Sequence, residues 1–188
     1  MKKGLFFVLV IKYCAVLYAQ DTTFYAAFRD AINSTGNTGT LFYADTAIAF
    51  WHKPSELAKK KTLHGVETIR GNKKTSLALT KGELRSLDQQ AKKSARVLWP
   101  QDMMPGSRRV TRDTINSIAY HNRWRDEKKE KPVHYYYFSQ PIYTRNNTLL
   151  MFYVYDMINH SAGYTFLFVY QLEKERWKHR LVIWTGAF

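Results

Sequence analysis

Four apolar, aromatic-rich runs fill the last third of the chain: Val133 to Phe138, Thr148 to Met157, Tyr164 to Leu172 and Trp177 to Trp184. Short polar breaks divide them, and each is of strand length, so the pattern predicts a four-stranded antiparallel meander. The turn chemistry agrees. Asn146-Asn147 adopts left-handed conformations at little cost, and Glu173-Lys174-Glu175-Arg176 is a charged hairpin connection of ordinary length. In the two central runs both alternating faces are apolar: Leu149, Met151, Tyr153 and Tyr155 against Leu150, Phe152 and Val154, then Tyr164, Phe166, Phe168 and Tyr170 against Leu167 and Val169. A strand that is apolar on both sides requires cover on both faces.

The cover for one face is expected from the N-terminal half. Phe24, Ala27, Phe28, Ala31 and Ile32 recur at helical spacing, and Asn33 to Asn37 then stop the pattern with turn formers. Residues 40 to 51 suit a strand, with a helix the alternative at that length, and Ser76 to Leu79 suit a short strand. Thr80 and Glu83 form a T-x-x-E capping box that leads into Leu84, Leu87 and Ala91. Asp113 to Tyr120 carries Ile115, Ile118 and Ala119 on one face and predicts a third short helix, while Arg123 to Lys131 is a charge-dense loop or helix end. The expected fold class is therefore α+β, a C-terminal four-stranded antiparallel meander packed against two or three N-terminal helices, with a ligand or partner on part of the other face.

Residues 1 to 20 have a different character. Lys2 and Lys3 precede an apolar stretch from Gly4 to Ile11, and Ala19-Gln20 ends the segment, the pattern of a cleavable secretory signal. The apolar run is too short for a spanning helix, so no transmembrane segment is expected after signal removal. The expected organisation is a signal peptide over 1–20 and a single basic domain over 21–188, exported to the periplasm or the cell exterior. Cys14, the one cysteine, lies within the leader, so the mature domain has no disulfide, thiol nucleophile or thiolate metal site. Losing Lys2, Lys3 and Lys12 with no acid lowers the formal charge from +14 to +11.

Phe138-Ser139-Gln140-Pro141-Ile142-Tyr143, the Asn146-Asn147 turn and the Tyr170 to Trp177 hairpin resemble a group of uncharacterised small exported bacterial proteins. These carry an F-S-x-P-I-aromatic strand, a turn, a long aromatic strand and a tyrosine-to-tryptophan hairpin. Many of them place cysteines and glycines after the long strand, where this chain has Met157 to Gly163. The resemblance implies the β-meander and carries no mechanism.

Catalytic signals are sparse. Asn159-His160-Ser161-Ala162-Gly163 echoes a nucleophile elbow, but Asn159 replaces the first glycine and a strand follows in place of a helix. The catalytic candidates are His160, Ser161 and Asp156, gathered at one hairpin mouth, and His121. The six histidines show no H-x-H, H-x-x-x-H or H-E-x-x-H spacing, so neither a metal site nor a cofactor is expected. Carboxylates near Asp126 are interleaved with Lys and Arg, as on a surface.

The remaining chemical feature is positive charge, and the binding candidates are Arg108, Arg109, Arg112, Arg123, Arg125, Lys178 and Arg180. On one face such residues would release counterions from a polyanion; scattered, they only solvate the surface. Three functions follow in order of expectation: a non-enzymatic exported binding or structural module, a binder of nucleic acid, acidic glycan or another envelope component, and a small hydrolase of nucleic acid or envelope polymer that uses His160 or His121 with an acid.

Overall fold

The computed structural model describes residues 24–37, 41–49, 61–93, 97–101, 103–104, 106–122, 133–158 and 162–187. Within them three helices flank one mixed sheet. The helices are α1 (residues 24–35), α2 (Lys81–Lys93) and α3 (Arg112–Asn122). The strands are β1 (Leu41–Ala44), β2 (Thr62–Val66), β3 (Lys74–Ala78), β4 (Ser107–Val110), β5 (His134–Phe138), β6 (Ile142–Thr144), β7 (Leu149–Ile158), β8 (Ala162–Glu173) and β9 (Arg176–Ala187). Their order is β3-β2-β9-β8-β7-β5-β1-β4, with β6 paired to β7 beside β5.

The predicted meander forms: β5, β8 and β9 are antiparallel to their neighbours around β7. The β8–β9 connection is a two-residue turn with both central residues left-handed, Lys174 at φ 48 and Glu175 at φ 63, as a type I′ hairpin requires. The Phe138 to Tyr143 stretch is divided between the end of β5 and β6, two pieces lying along the same edge of β7. Pro141 has no N–H to give a ladder. Ser139 bridges the break, because its hydroxyl accepts from the Tyr153 N–H (2.8 Å) while its own N–H donates to the Tyr153 carbonyl (3.0 Å).

Both faces of the central strands are buried, and helices supply the cover on both. On one face Phe24, Phe28, Ala31 and Ile32 of α1 pack on Phe138, Phe152, Phe168 and Tyr170, and the Phe28 ring stacks on Phe138 at 4.4 Å. Completely burying such a side chain stabilises the fold by about 1.5–3 kcal/mol. On the other face Leu84 and Leu87 of α2 meet Met151, Tyr153, Leu167 and Val169, and Ile115 of α3 meets Tyr135 and Tyr137. Helices α2 and α3 thus supply cover on this second face as well.

The sheet is also wider than the meander. β1 lies between β5 and β4 and runs parallel to both, which adds a mixed edge that the antiparallel expectation did not contain. At the opposite side β2 meets β9 where Gly65 lies so close that a Cβ would stand 2.3 Å from the Val182 carbonyl oxygen.

Candidate functional site

The strands outrun the helix that covers them. Residues 24–35 span about 18 Å as a helix, whereas the 12 residues of β8 extend about 40 Å. Beyond the C-terminus of α1 the sheet face is therefore left open, and a cleft of ≈ 560 Å³ lies there. Its polar end is made by Thr35, Asn37, His134 and Asp156, its aromatic wall by Tyr164, Phe166 and Trp184, and its rim includes Val66, Ile69 and Asn72 from the β2–β3 region.

Strand register builds the polar end. Tyr136 is opposite Asp156 and His134 is opposite Ile158, so His134, Tyr136 and Asp156 project from the same face of β5 and β7. His134 and Asp156 are 8% and 3% exposed. His134 Nδ1 and Asp156 Oδ1 are 2.8 Å apart, the geometry of an imidazole N–H donating to a carboxylate. Asp156 Oδ2 accepts from the Asn37 amide at 3.1 Å. The second hydrogen of that amide goes to the Tyr136 hydroxyl, which lies 3.2 Å from Thr35 Oγ1. Thr35 in turn donates to the Ile32 carbonyl at 2.7 Å. A continuous network thus runs from the last turn of α1 to a buried carboxylate two strands away. Burial, then the Asp156 charge, pushes the Tyr136 phenol up to about 12, so it is a neutral hydroxyl in neutral solution.

The end of α1 is held in place from the other side as well. Gly36 is left-handed at φ +76, and Arg70 Nη2 crosses it to reach the Thr35 carbonyl at 3.3 Å. That contact satisfies a helix C-terminal carbonyl with a cation, the favourable sign for the helix dipole.

The aromatic wall is open to solvent. Trp184 is 64% exposed and Tyr164 39% exposed; their rings are 6.5 Å apart, and Phe166 is 6.3 Å from Tyr164. The Trp184 indole N–H donates to the Gly186 carbonyl at 2.8 Å, which fixes the ring's orientation. Among the described lining residues none is Lys or Arg, a notable lack in a chain of formal charge +14.

No family model, curated protein or solved structure matches this chain.

Of the catalytic candidates, Asp156 is in the cleft, and its histidine partner is His134, which sequence reasoning did not single out. His160 and Ser161 fall outside the described residues, in the connection between β7 and β8. His121 is at the exposed end of α3, on the opposite side of the sheet, and is 2.8 Å from the Ser117 carbonyl. The basic candidates do not gather. Arg108 and Arg109 are on edge strand β4 and Arg112 opens α3, whereas Lys178 and Arg180 are on β9. Strands β8, β7, β5 and β1 intervene, roughly 24 Å at the usual strand spacing of about 4.8 Å. Arg109 donates to the Trp99 carbonyl at 2.7 Å, and Lys178 pairs with Glu173 at 2.9 Å. Arg123 and Arg125 fall outside the described residues. Among the described residues no three His, Cys, Asp or Glu side chains group as metal ligands, and no helix is long and apolar enough to cross a membrane.

Proposed function

We propose that this protein is a binding module for a small amphipathic molecule, with the cleft at the end of α1 as its site. The observation that carries the reading is the joining of an exposed aromatic wall to a buried, hydrogen-bonded His134–Asp156 pair in a cavity of ≈ 560 Å³. Small-molecule sites characteristically have this composition: mostly apolar walls, a few converging polar groups, and a volume of about 300–1,000 Å³. The exposed rings leave Tyr164 and Trp184 free to bury apolar ligand surface, and the network behind Asp156 holds the polar end in one arrangement before any ligand arrives. The basic, apolar leader read in residues 1–20 supports action outside the cytoplasm.

The Trp184 indole N–H is a local reporter, assigned by its loss in Trp184→Phe. Nitrogen-15-labelled full-length chain would be titrated with a panel of flat aromatic, alicyclic and pyranose fragments. Fragments that shift the Trp184 indole and backbone signals of residues 156–166, and bind several-fold more weakly to Trp184→Ala, support the reading. If no fragment moves those signals, or shifts are the same in Trp184→Ala, the cleft is not a binding site. The substitution is informative because a side chain this exposed contributes within about 0.5 kcal/mol to stability.

A further inference from the structure

Resting on that reading of the cleft, we propose that its ligand is a flat apolar molecule bearing one neutral hydroxyl, a phenol or other aryl alcohol, whose O–H donates to His134 Nε2. The first argument is the accounting of the imidazole. Nδ1 is 2.8 Å from Asp156 Oδ1 and 2.9 Å from the Asn37 amide nitrogen; a carboxylate has no hydrogen to give, so the ring N–H that joins the pair is on Nδ1, and with that tautomer Nε2 is an acceptor. That nitrogen has no hydrogen-bond partner among the described residues, nor is it among the buried polar atoms left without one, and His134 lines the cleft. Asp156 already accepts at both oxygens, from His134 at Oδ1 and from Asn37 at Oδ2.

Charge narrows the head group. The Asp156 carboxylate is the formal charge at the polar end, Tyr136 is held neutral, and no Lys or Arg is among the described lining residues. A carboxylate or phosphate head would meet the Asp156 carboxylate with no Lys or Arg among the described lining residues, the nearby Arg70 being engaged at the Thr35 carbonyl. An ammonium head brings three N–H donors, of which Nε2 can serve only one. One hydroxyl matches one acceptor.

The distribution of polar groups narrows the body. Thr35, Asn37, His134 and Asp156 stand together, and Tyr164, Phe166 and Trp184 continue the lining from Tyr164, the cross-strand neighbour of Asp156. A sugar, with hydroxyls around its ring, would press several of them onto apolar rings. An aryl body matches the wall, with offset or edge-on packing against the three aromatic side chains.

The test uses four naphthalene probes of one shape: 2-naphthol, 2-methoxynaphthalene, 2-naphthoate and 2-naphthylmethylammonium, titrated against the full chain. The expected result is that naphthol binds about tenfold more tightly than its methyl ether, the ratio expected for one hydrogen bond to a buried acceptor, and more tightly than either charged probe. The nitrogen-15 resonance of His134 Nε2 should move with naphthol and stay with the ether, a readout that a purely structural histidine would not give. In His134→Phe the preference for naphthol over the ether should disappear. Equal affinity of naphthol and ether for the unsubstituted protein, with shifts still centred on Trp184, overturns the hydroxyl assignment and leaves the binding cleft standing. Tighter binding of the ammonium probe overturns it in favour of a cation held by Asp156 and the rings. If all four probes and the fragment panel leave the Trp184 signals unmoved, the cleft reading fails together with this one.

Discussion

Asn37 and Asp156, 119 residues apart in the chain, are joined by a hydrogen bond of 3.1 Å from the Asn37 amide to carboxylate Oδ2. The same amide nitrogen serves the Tyr136 hydroxyl, so one side chain couples the end of α1 to both β5 and β7. Asn37→Ala would leave a carboxylate oxygen and a phenol short of a donor in a nearly closed site, at a cost of about 1–3 kcal/mol. Asn37→Asp should cost at least as much, since it adds a negative charge beside Asp156. Urea denaturation would measure both, and an unchanged midpoint for Asn37→Ala would show that water replaces the amide freely.

Glu83 closes the α2 capping box and also anchors a turn. Its Oε2 accepts from the Thr80 N–H at 2.7 Å, the Thr80 hydroxyl accepts from the Glu83 N–H at 3.2 Å, and Oε1 accepts from Arg145 Nε at 2.7 Å. Burial opposes ionisation of this carboxyl, but the bonds from Arg145 and Thr80 outweigh it and hold the carboxyl below its ordinary 4.5. Because the folded value is depressed, the stabilisation is present above about pH 4.5 and is lost as the pH falls through the folded value. Glu83→Gln should flatten that acid limb of a stability–pH profile, and Thr80→Ala should lower stability by about 1 kcal/mol at neutral pH.

His179 predicts a second acid limb nearer neutrality. Its ring packs on Tyr170 at 5.2 Å and Phe168 at 5.7 Å, with Nε2 buried and without a partner. Burial lowers its proton affinity below the ordinary 6.5, against the opposing pull of Asp30 and of the Glu67 backbone and carboxylate. For a base whose folded value is depressed, stability begins to decline as the pH falls below 6.5 and continues to decline until the folded value is passed. His179→Phe should abolish this loss and, by removing an orphaned polar atom, change stability at pH 8 by no more than about 1 kcal/mol. Thermal melts at pH 8 and pH 5.5 would compare the two chains, and an equal drop in both would assign the decline elsewhere.

Gly36 serves two purposes that can be separated. Its φ of +76 disfavours any side chain, and a Cβ there would lie 1.2 Å from Arg70 Nη2. Arg70 is flexible and can swing away, so Gly36→Ala should lose the Arg70–Thr35 contact and add the left-handed penalty of about 1–2 kcal/mol. In the background of Arg70→Ala, the alanine should still cost that backbone penalty. A Gly36→Ala cost that vanishes without Arg70 would mean the clash alone demands glycine.

Legibility in the sequence followed periodicity and local chemistry. The α1 pattern, the T-x-x-E box and the C-terminal strands are visible because each writes its period or its cap within a few residues. Strands β2 (TLHGV), β4 (SRRV) and β6 (IYT) carry no such signature. They are short, and their pairing partners rather than their own propensities make them strands. The site shows the same boundary. Asp156 is a candidate in the sequence through its place at the β7–β8 hairpin mouth, but His134 gains meaning only from register, and that register depends on β5 meeting the far half of β7 while β6 takes the near half. Nothing local in His-Tyr-Tyr-Tyr-Phe announces that arrangement.

The position of α1 has a consequence for the order of events during synthesis. Its packing surface is assembled from Phe138, Phe152, Phe168, Tyr170 and Val182, residues that leave the ribosome long after it does. A helix of 12 residues alone in water is marginal, so α1 and the end of the cleft it carries must wait for β9 before they are held in place. The cleft region thus waits on the C-terminal strands, and a nascent chain arrested before residue 162 should leave the amides of α1 open to hydrogen exchange.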